Sequence, residues 1–343
     1  MANIMVNEAC NLRCPYCFAD EFVNKTPKEM TVHDFRKAMN FVMSDPEDRQ
    51  VGIIGGEPML YSHIDEVMRI ALSDPRTEIV MIYTNAVDLD KLAPDIQEAK
   101  KFRMLVNCNS PEDMGEVAFE KMRQNLLRFH DEHVGANRFR LSVNIYKPDF
   151  DYSYVLRLSE ELPFDIIRLS VSVPQNGELG GRTPLEYFQD MKPVALRFVA
   201  DMVRNGAITG FDCNFLPPCV LTKEERDSLE AVKDVLYASL SKQYSETLWQ
   251  RAIVCEVHNC SPVIDILPDL RAIRCFGLSQ HTKQDIHDYP DINALREFYV
   301  NTVDRPAIAV SKSEHCNDCL SRECGDCSCG CLLFKAEELF SKV

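Results

Sequence analysis

The sequence predicts an α/β protein: a partial (β/α)6, TIM-like barrel followed by a small cysteine-rich C-terminal domain. Three observations carry that prediction. Short β-branched runs alternate with amphipathic stretches through the first two-thirds of the chain, the pattern of parallel strands joined by crossover helices. About six such units fit, fewer than a closed eight-unit barrel needs. Finally, residues 255–343 lose apolar periodicity and become dense in Cys, Asp and Ser, so something other than a hydrophobic core must order them.

In order, strands are expected at 4–7, 51–54, 79–83, 104–107, 140–145 and 166–173. Helices are expected between them at 32–43, 64–72, 113–130 and 152–161. Further helices follow at 184–204 and 222–248. Thr183 before Pro184 reads as an N-cap with proline at the first helical position. Pro217 and Pro218 break the chain between the last two helices. The expected domains are a barrel at 1–215, a helical linker at 216–254 and a cysteine-rich domain at 255–343. A doubly wound sheet has the same periodicity and is the rival fold.

Composition narrows the function. With 343 residues the chain exceeds the roughly 250–300 residues at which one core stops growing, hence the second domain. A 45% hydrophobic, 27% charged composition excludes a disordered or collagen-like chain. The formal charge of -15 argues against nucleic acid as the main ligand, because phosphate binding draws on clustered Lys and Arg. No run of eighteen apolar residues is present to span a membrane. The first ten residues lack a charged and apolar signal segment, so a cytoplasmic location with reduced thiols is expected.

Fifteen cysteines are too few for a disulfide scaffold of this length, and they cluster. Cys10, Cys14 and Cys17 share one loop after the first expected strand; nine more lie between Cys255 and Cys331. Cys108, Cys213 and Cys219 are read as small buried hydrophobes. Clustered thiols in a reducing compartment bind metal or do redox chemistry. Three thiolates on one loop suit three irons of a [4Fe–4S] cluster with the fourth iron open, whereas a zinc site needs a fourth ligand and none lies nearby in sequence.

At Cys10-Asn11-Leu12-Arg13-Cys14-Pro15-Tyr16-Cys17 the chain resembles the radical S-adenosylmethionine (radical SAM) superfamily, whose signature is CxxxCxΦC with an aromatic Φ, here Tyr16. Gly55-Gly56-Glu57-Pro58 resembles the family's GGEP element, which holds the amino group of S-adenosylmethionine (SAM). Tyr83-Thr84-Asn85 is similar to the family's TNG element, with Ala86 in place of glycine. The stretch Val106 to Ser110 lies where relatives carry a Ser–Asp pair, which makes Asn107 the candidate for the SAM ribose and Asn144 a second of that kind. The resemblance implies reductive cleavage of SAM to a 5′-deoxyadenosyl radical.

The C-terminal cysteines resemble the SPASM extension of that superfamily, which implies two auxiliary [4Fe–4S] clusters and so three clusters in all. A twitch-like form would carry one auxiliary cluster and two in all. By analogy Cys255, Cys260 and Cys275 belong to the first auxiliary cluster and Cys316, Cys319 and Cys324 to the second, with the remaining ligands drawn from Cys327, Cys329 and Cys331. Leu270 stands where the family has a turn glycine, and four residues rather than five separate Cys319 from Cys324. Paired zinc sites are the alternative chemistry for these thiols. The expected function is hydrogen abstraction from a ribosomally made peptide, leading to crosslinking, oxidation or epimerisation. Phe276 replaces the aspartate that sulfatase-maturing relatives carry. A flavodoxin- or ferredoxin-type reductant and a separate leader-peptide-binding protein are the expected partners. The alternatives are a small-molecule oxidase or epimerase on the same scaffold, and a non-catalytic iron–sulfur or zinc protein.

Overall fold

A computed structural model describes residues 2–133, 138–174, 179–212, 215–243, 260, 263–311, 314–323, 327 and 330–341. Cys213, Cys255, Cys324 and Cys329 lie outside the described residues. The chain forms two compact units. The first comprises Met1–Leu141, Arg157–Pro163 and Val263–Phe298; the second comprises Ser142–Leu156, Phe164–Pro262 and Tyr299–Val343.

In the first unit, strands β1 (Ala2–Met5), β2 (Gln50–Ile54), β3 (Ile79–Thr84) and β4 (Phe102–Asn107) lie side by side and parallel. Every residue of β1 and β2 is buried, which is why both read as unbroken apolar runs instead of alternating ones. Helices α1 (Val32–Val42), α2 (Ile64–Ser73) and α3 (Pro94–Glu98) make the crossovers. In α1 the apolar stripe is Phe35, Ala38, Met39 and Val42, at helical spacing, and each large member contributes about 1.5–3 kcal/mol by leaving water. Thr31 caps this helix by accepting a hydrogen bond from the Asp34 amide at 3.0 Å.

One expected helix is two. The stretch 113–130 is split into α4 (Pro111–Met114) and α5 (Glu116–Glu132), because Gly115 sits between them at φ 85°, a backbone conformation that ends a right-handed helix. On the other side of β1 lies a strand the sequence did not mark, β8 (Asp265–Ile266), which pairs parallel with it. β9 (Arg271–Ile273) and β10 (Gln284–Asp285) follow, each antiparallel to its neighbour.

The boundary between units falls inside β5 (Phe139–Ile145) and inside α6 (Ser153–Glu161). In the second unit β6 (Ile166–Val171) pairs parallel with β7 (Ile208–Phe211), another strand the sequence did not mark. Helix α7 (Pro184–Arg204) joins them, and it starts as expected: Thr183 Oγ1 accepts from the Glu186 amide at 3.2 Å, and Glu186 Oε2 accepts from the Thr183 amide at 2.7 Å. Helix α8 (Lys223–Gln243) follows the double proline. The expected α/β succession is therefore present, with β1 to β6 each followed by helix. Among the described residues no helix is long and apolar enough to cross a membrane.

Candidate functional site

The first unit gathers three strand-end segments: the loop after β1, the turn after β2 and the turn after β3. The β1 loop runs beside β2, where the Gly56 amide donates to Asn7 O at 2.9 Å and the Glu57 amide to Ala9 O at 2.7 Å. This approach requires glycine. A methyl group on Gly56 would stand 2.4 Å from Ala9 O, and one on Gly55 would stand 2.1 Å from Asn7 Oδ1. Residues 55–57 are thus moulded against the stem of the cysteine loop.

Glu57 locks the next contact. Its side chain is 1% exposed and accepts three hydrogen bonds: from Thr84 Oγ1 at 2.6 Å, the Asn85 amide at 2.7 Å and the Met59 amide at 3.1 Å. Burial pushes its carboxyl up to about 7 against the pull of those donors. Pro58, also buried, begins the 3-10 turn Pro58–Leu60 that Glu57 caps. Asn85 extends the network, since its Nδ2 donates to Asn11 Oδ1 at 2.7 Å and Asn11 Nδ2 donates to Asp88 Oδ2 at 3.3 Å. The chain from Asn11 through Asn85 to Glu57 joins the cysteine loop to the ends of β2 and β3.

Ala86, where the sequence resemblance placed a glycine, adopts φ 57°, and Asn125 Nδ2 holds that turn by donating to Ala86 O and Val87 O at 3.0 Å each. Leu270 likewise adopts φ 63° at its glycine-like place. Both positions keep the left-handed backbone without the residue that adopts it most easily.

Cys10, Cys14 and Cys17 are partly buried and carry no disulfide. Each receives one N–H donor: the Leu12 amide reaches Cys10 Sγ at 3.4 Å, Asn109 Nδ2 reaches Cys14 Sγ at 3.1 Å, and the Ala19 backbone serves Cys17. Burial first, then the charges of Glu57 and Cys17, push the Cys10 thiol up to about 11. Burial first, then Cys17 and Cys10, push Cys14 up to about 12; burial also raises Cys17. Cys10 and Cys14 therefore feel the charge of Cys17, and each of the three thiols needs a cation in place of its proton to be an anion at neutral pH.

Tyr16, half-buried, donates its hydroxyl to Asn109 Oδ1. Asn109 thus ties the aromatic residue and Cys14 to the segment after β4. The residue singled out from sequence was Asn107, which ends β4 half-buried two positions earlier. The run Asn107-Cys108-Asn109-Ser110 was the available signal for Asn109, and only the fold shows which asparagine turns toward the cysteines. Cys108 is buried, at 1% exposure, as expected.

Behind the loop, Phe276 packs edge-on against Phe18 and Phe22 at 5.1 and 5.9 Å between ring centroids. It belongs to a cluster with Met5, Ala19, Val23, Ile54, Leu267 and Ile273, against which Cys10 and Cys17 rest. Phe276 therefore supports the cysteine loop from below. Its neighbour Cys275, partly buried, opens the turn Phe276–Leu278 in this same unit.

The other predicted residues lie in the second unit. Asn144, half-buried, is on β5, and Cys260, Cys316, Cys319, Cys327 and Cys331 are all partly buried. Cys219, expected to be a buried hydrophobe, is instead exposed. Among the described residues, no three His, Cys, Asp or Glu side chains converge tightly enough to clasp a single metal ion. A groove between α1 and α2, lined by Arg36, Asn40, Glu66 and Arg69, holds none of the predicted residues.

Fold and site define a class. Residues 4–147 match the family described as the Radical SAM superfamily, and this stretch is a radical SAM domain. Curated relatives bear the name GTP 3′,8-cyclase: that of Chlorobaculum tepidum is 35% identical over 96 residues, 28% of each chain. That of Mycobacterium marinum is 28% identical over 182 residues, 47% of this chain and 50% of the relative. The match thus spans half or less of these two relatives' length. Among solved structures, Streptococcus suis SuiB bound to S-adenosylmethionine shares the fold, with a TM-score of 0.60 at 15% identity over 97% of this chain and 72% of SuiB. SuiB bound to precursor peptide SuiA matches with a TM-score of 0.56 at 13% identity, over 98% of this chain and 70% of SuiB.

Proposed function

We propose that the protein is a radical SAM enzyme acting on a peptide. The carrying observation is the trio of partly buried thiols on one loop, each served by an N–H donor, braced against a glycine turn that admits the backbone of that loop. N–H donors to sulfur are what iron–sulfur ligation uses to stabilise thiolate charge, so the donor set fits a [4Fe–4S] cluster on Cys10, Cys14 and Cys17. When bound, that cluster and SAM would supply the electron and the 5′-deoxyadenosyl radical that abstracts hydrogen from substrate. The chain's own residues position them. Glu57 holds the 55–58 turn to β3, with Gly55, Gly56 and Pro58 shaping the amino-group site; Tyr16, Asn85 and Asn107 are the further SAM contacts. Cys255, Cys260, Cys275, Cys316, Cys319, Cys324, Cys327, Cys329 and Cys331 are the pool from which SPASM-type auxiliary clusters would take their ligands.

SuiB, whose fold this chain shares, has a structure with a precursor peptide, which supports a peptide substrate. The second reading, a small-molecule substrate, is favoured by the relatives named GTP 3′,8-cyclase. The test is anaerobic incubation with SAM and a strong reductant. Deoxyadenosine should form slowly alone and faster with a peptide encoded beside this chain; acceleration by GTP instead would replace the peptide reading, and no SAM cleavage at all would end both.

A further inference from the structure

Asn7 is a polar residue at a place where its neighbours are apolar and buried. It follows β1 after Met5 and Val6, and all three are 0% exposed. The backbone there is held on both sides. The Val6 amide donates to Ile54 O at 2.9 Å, the Met30 amide to Val6 O at 2.8 Å and the Glu8 amide to Lys28 O at 2.9 Å. The Asn7 side chain therefore leaves the main chain from a fixed point.

From that point Asn7 meets three successive residues of the glycine turn. Its main-chain oxygen accepts from the Gly56 amide at 2.9 Å, and its Nδ2 donates to Glu57 O at 3.0 Å. The same Nδ2 donates to Ala9 O at 3.4 Å, one residue before Cys10. Its Oδ1 lies over Gly55 and leaves no room there for a methyl group. One side chain thus spans the stem of the cysteine loop and the turn after β2.

Two features point to position, not hydrogen-bond satisfaction, as what this amide supplies. Neither carbonyl depends on it, since Ala9 O also accepts from the Glu57 amide at 2.7 Å and Glu57 O from the Leu60 amide at 3.0 Å. The amide is also only half satisfied: among the described residues no donor reaches Asn7 Oδ1. Turning it over would not help, because its oxygen would then face two carbonyl oxygens. A buried acceptor without a donor costs stability, and an apolar side chain at this place would avoid that cost. Polar groups kept at such a cost are the mark of functional sites more than of plain core.

We propose that Asn7 is a positioning residue for SAM, setting the backbone of residues 55–57 against the stem of the cysteine loop. This rests on reading Cys10, Cys14 and Cys17 as cluster ligands and the 55–58 turn as the amino-group site. A ligand that must meet both places at once binds well only when their spacing is held. Wholly buried, Asn7 acts through Glu57 O and Ala9 O and not by touching SAM.

The test is Asn7→Ala in the whole protein, loaded anaerobically with iron and sulfide. SAM binding is read by isothermal titration, stability by the urea midpoint and loading by iron content. SAM affinity should fall at least about tenfold, the scale on which supporting residues around a metal site act. The midpoint and iron content should stay near native, because the variant sheds an unpaired oxygen together with its donor. A residue of merely structural importance would move all three, so a midpoint or iron content that falls along with SAM affinity overturns the positioning role. Unchanged SAM affinity overturns it as well. Should Asn7→Ala fail to fold, Asn7→Ser takes its place with the same result expected, since its hydroxyl ends one bond short of Nδ2. Native protein that holds iron but binds no SAM would overturn the reading of the 55–58 turn, and this inference with it.

Discussion

Asn109 is the residue whose role the fold reveals most directly. Its amide donates to Cys14 Sγ while its carbonyl oxygen receives the Tyr16 hydroxyl, so one side chain serves both a thiol and the aromatic position of the loop. Removing it leaves Cys14 without a donor that favours its charged form. Asn109→Ala is therefore expected to retain iron but to lower the reduction potential of the loop's cluster, read by redox titration. Asn107→Ala should leave the potential unchanged and weaken SAM binding instead, read by isothermal titration. If both variants shift the potential equally, the distinction between the two asparagines is wrong. Ala86 and Leu270 make a related point, because each stands at positive φ where a glycine was expected. The left-handed conformation costs a residue with a side chain about 1–2 kcal/mol. Both side chains are buried, Ala86 at 0% and Leu270 at 6% exposure, so packing offsets part of that cost.

At the scale of elements, the join between β1 and β8 carries an unusual buried group. Asp265 is 3% exposed and accepts from Asn3 Nδ2 at 2.7 Å, while Gly52 on β2 leaves Asn3 room to lie flat: a methyl there would stand 2.0 Å from Asn3 Oδ1. Burial pushes the Asp265 carboxyl up to about 7, against the pull of Asn3 and the fully buried Arg274. The folded protein therefore keeps a proton that the unfolded chain releases near its ordinary value of about 3.9. This contributes stability that is fully present below about pH 4 and lost as pH rises toward 7. Glu57 acts in the same direction. Asp265→Asn removes the first share alone, so the urea midpoint of the variant, measured against the native protein, should improve as pH rises from about 4.5 to 7. A difference that stays flat across that range would show that Asp265 does not titrate there.

For the molecule as a whole, the prediction concerns how metal is divided along the chain. Three cysteines near the start and nine toward the end would support three cubane clusters, so protein purified without oxygen should be brown with about twelve irons per chain. About eight irons would favour the single-auxiliary, twitch-like form, and a colourless protein with stoichiometric zinc would remove the iron–sulfur reading. Replacing Cys10, Cys14 and Cys17 together by Ala should cut iron by about a third and abolish deoxyadenosine formation, because a cluster with four protein ligands has no open iron for SAM. Continued SAM cleavage by that variant would put the SAM site in the tail.

Much of this was legible in residue order because its causes are local. The cysteine loop spans eight residues, so chain geometry alone brings its thiols together, and the strand–helix alternation follows from periods of two and near four that any short window displays. The N-cap Thr183 and first-position Pro184 of α7 were readable for the same reason, while the reciprocal bond from Glu186 was not read. β7 and β8, four and two residues long, are too short to show a period. The contact of Asn3 with Asp265 joins positions 262 apart, and Asn109 reaches Cys14 across 95 residues. Read singly, Cys219 was a small apolar residue, and only the fold shows its surface open to solvent. Sequence by itself determined the chemistry on offer and the order of the elements. Tertiary structure decided which asparagine serves a thiol and which strand flanks β1, because contacts between distant residues depend on how closed loops and packed elements bring them together, and no local pattern records that.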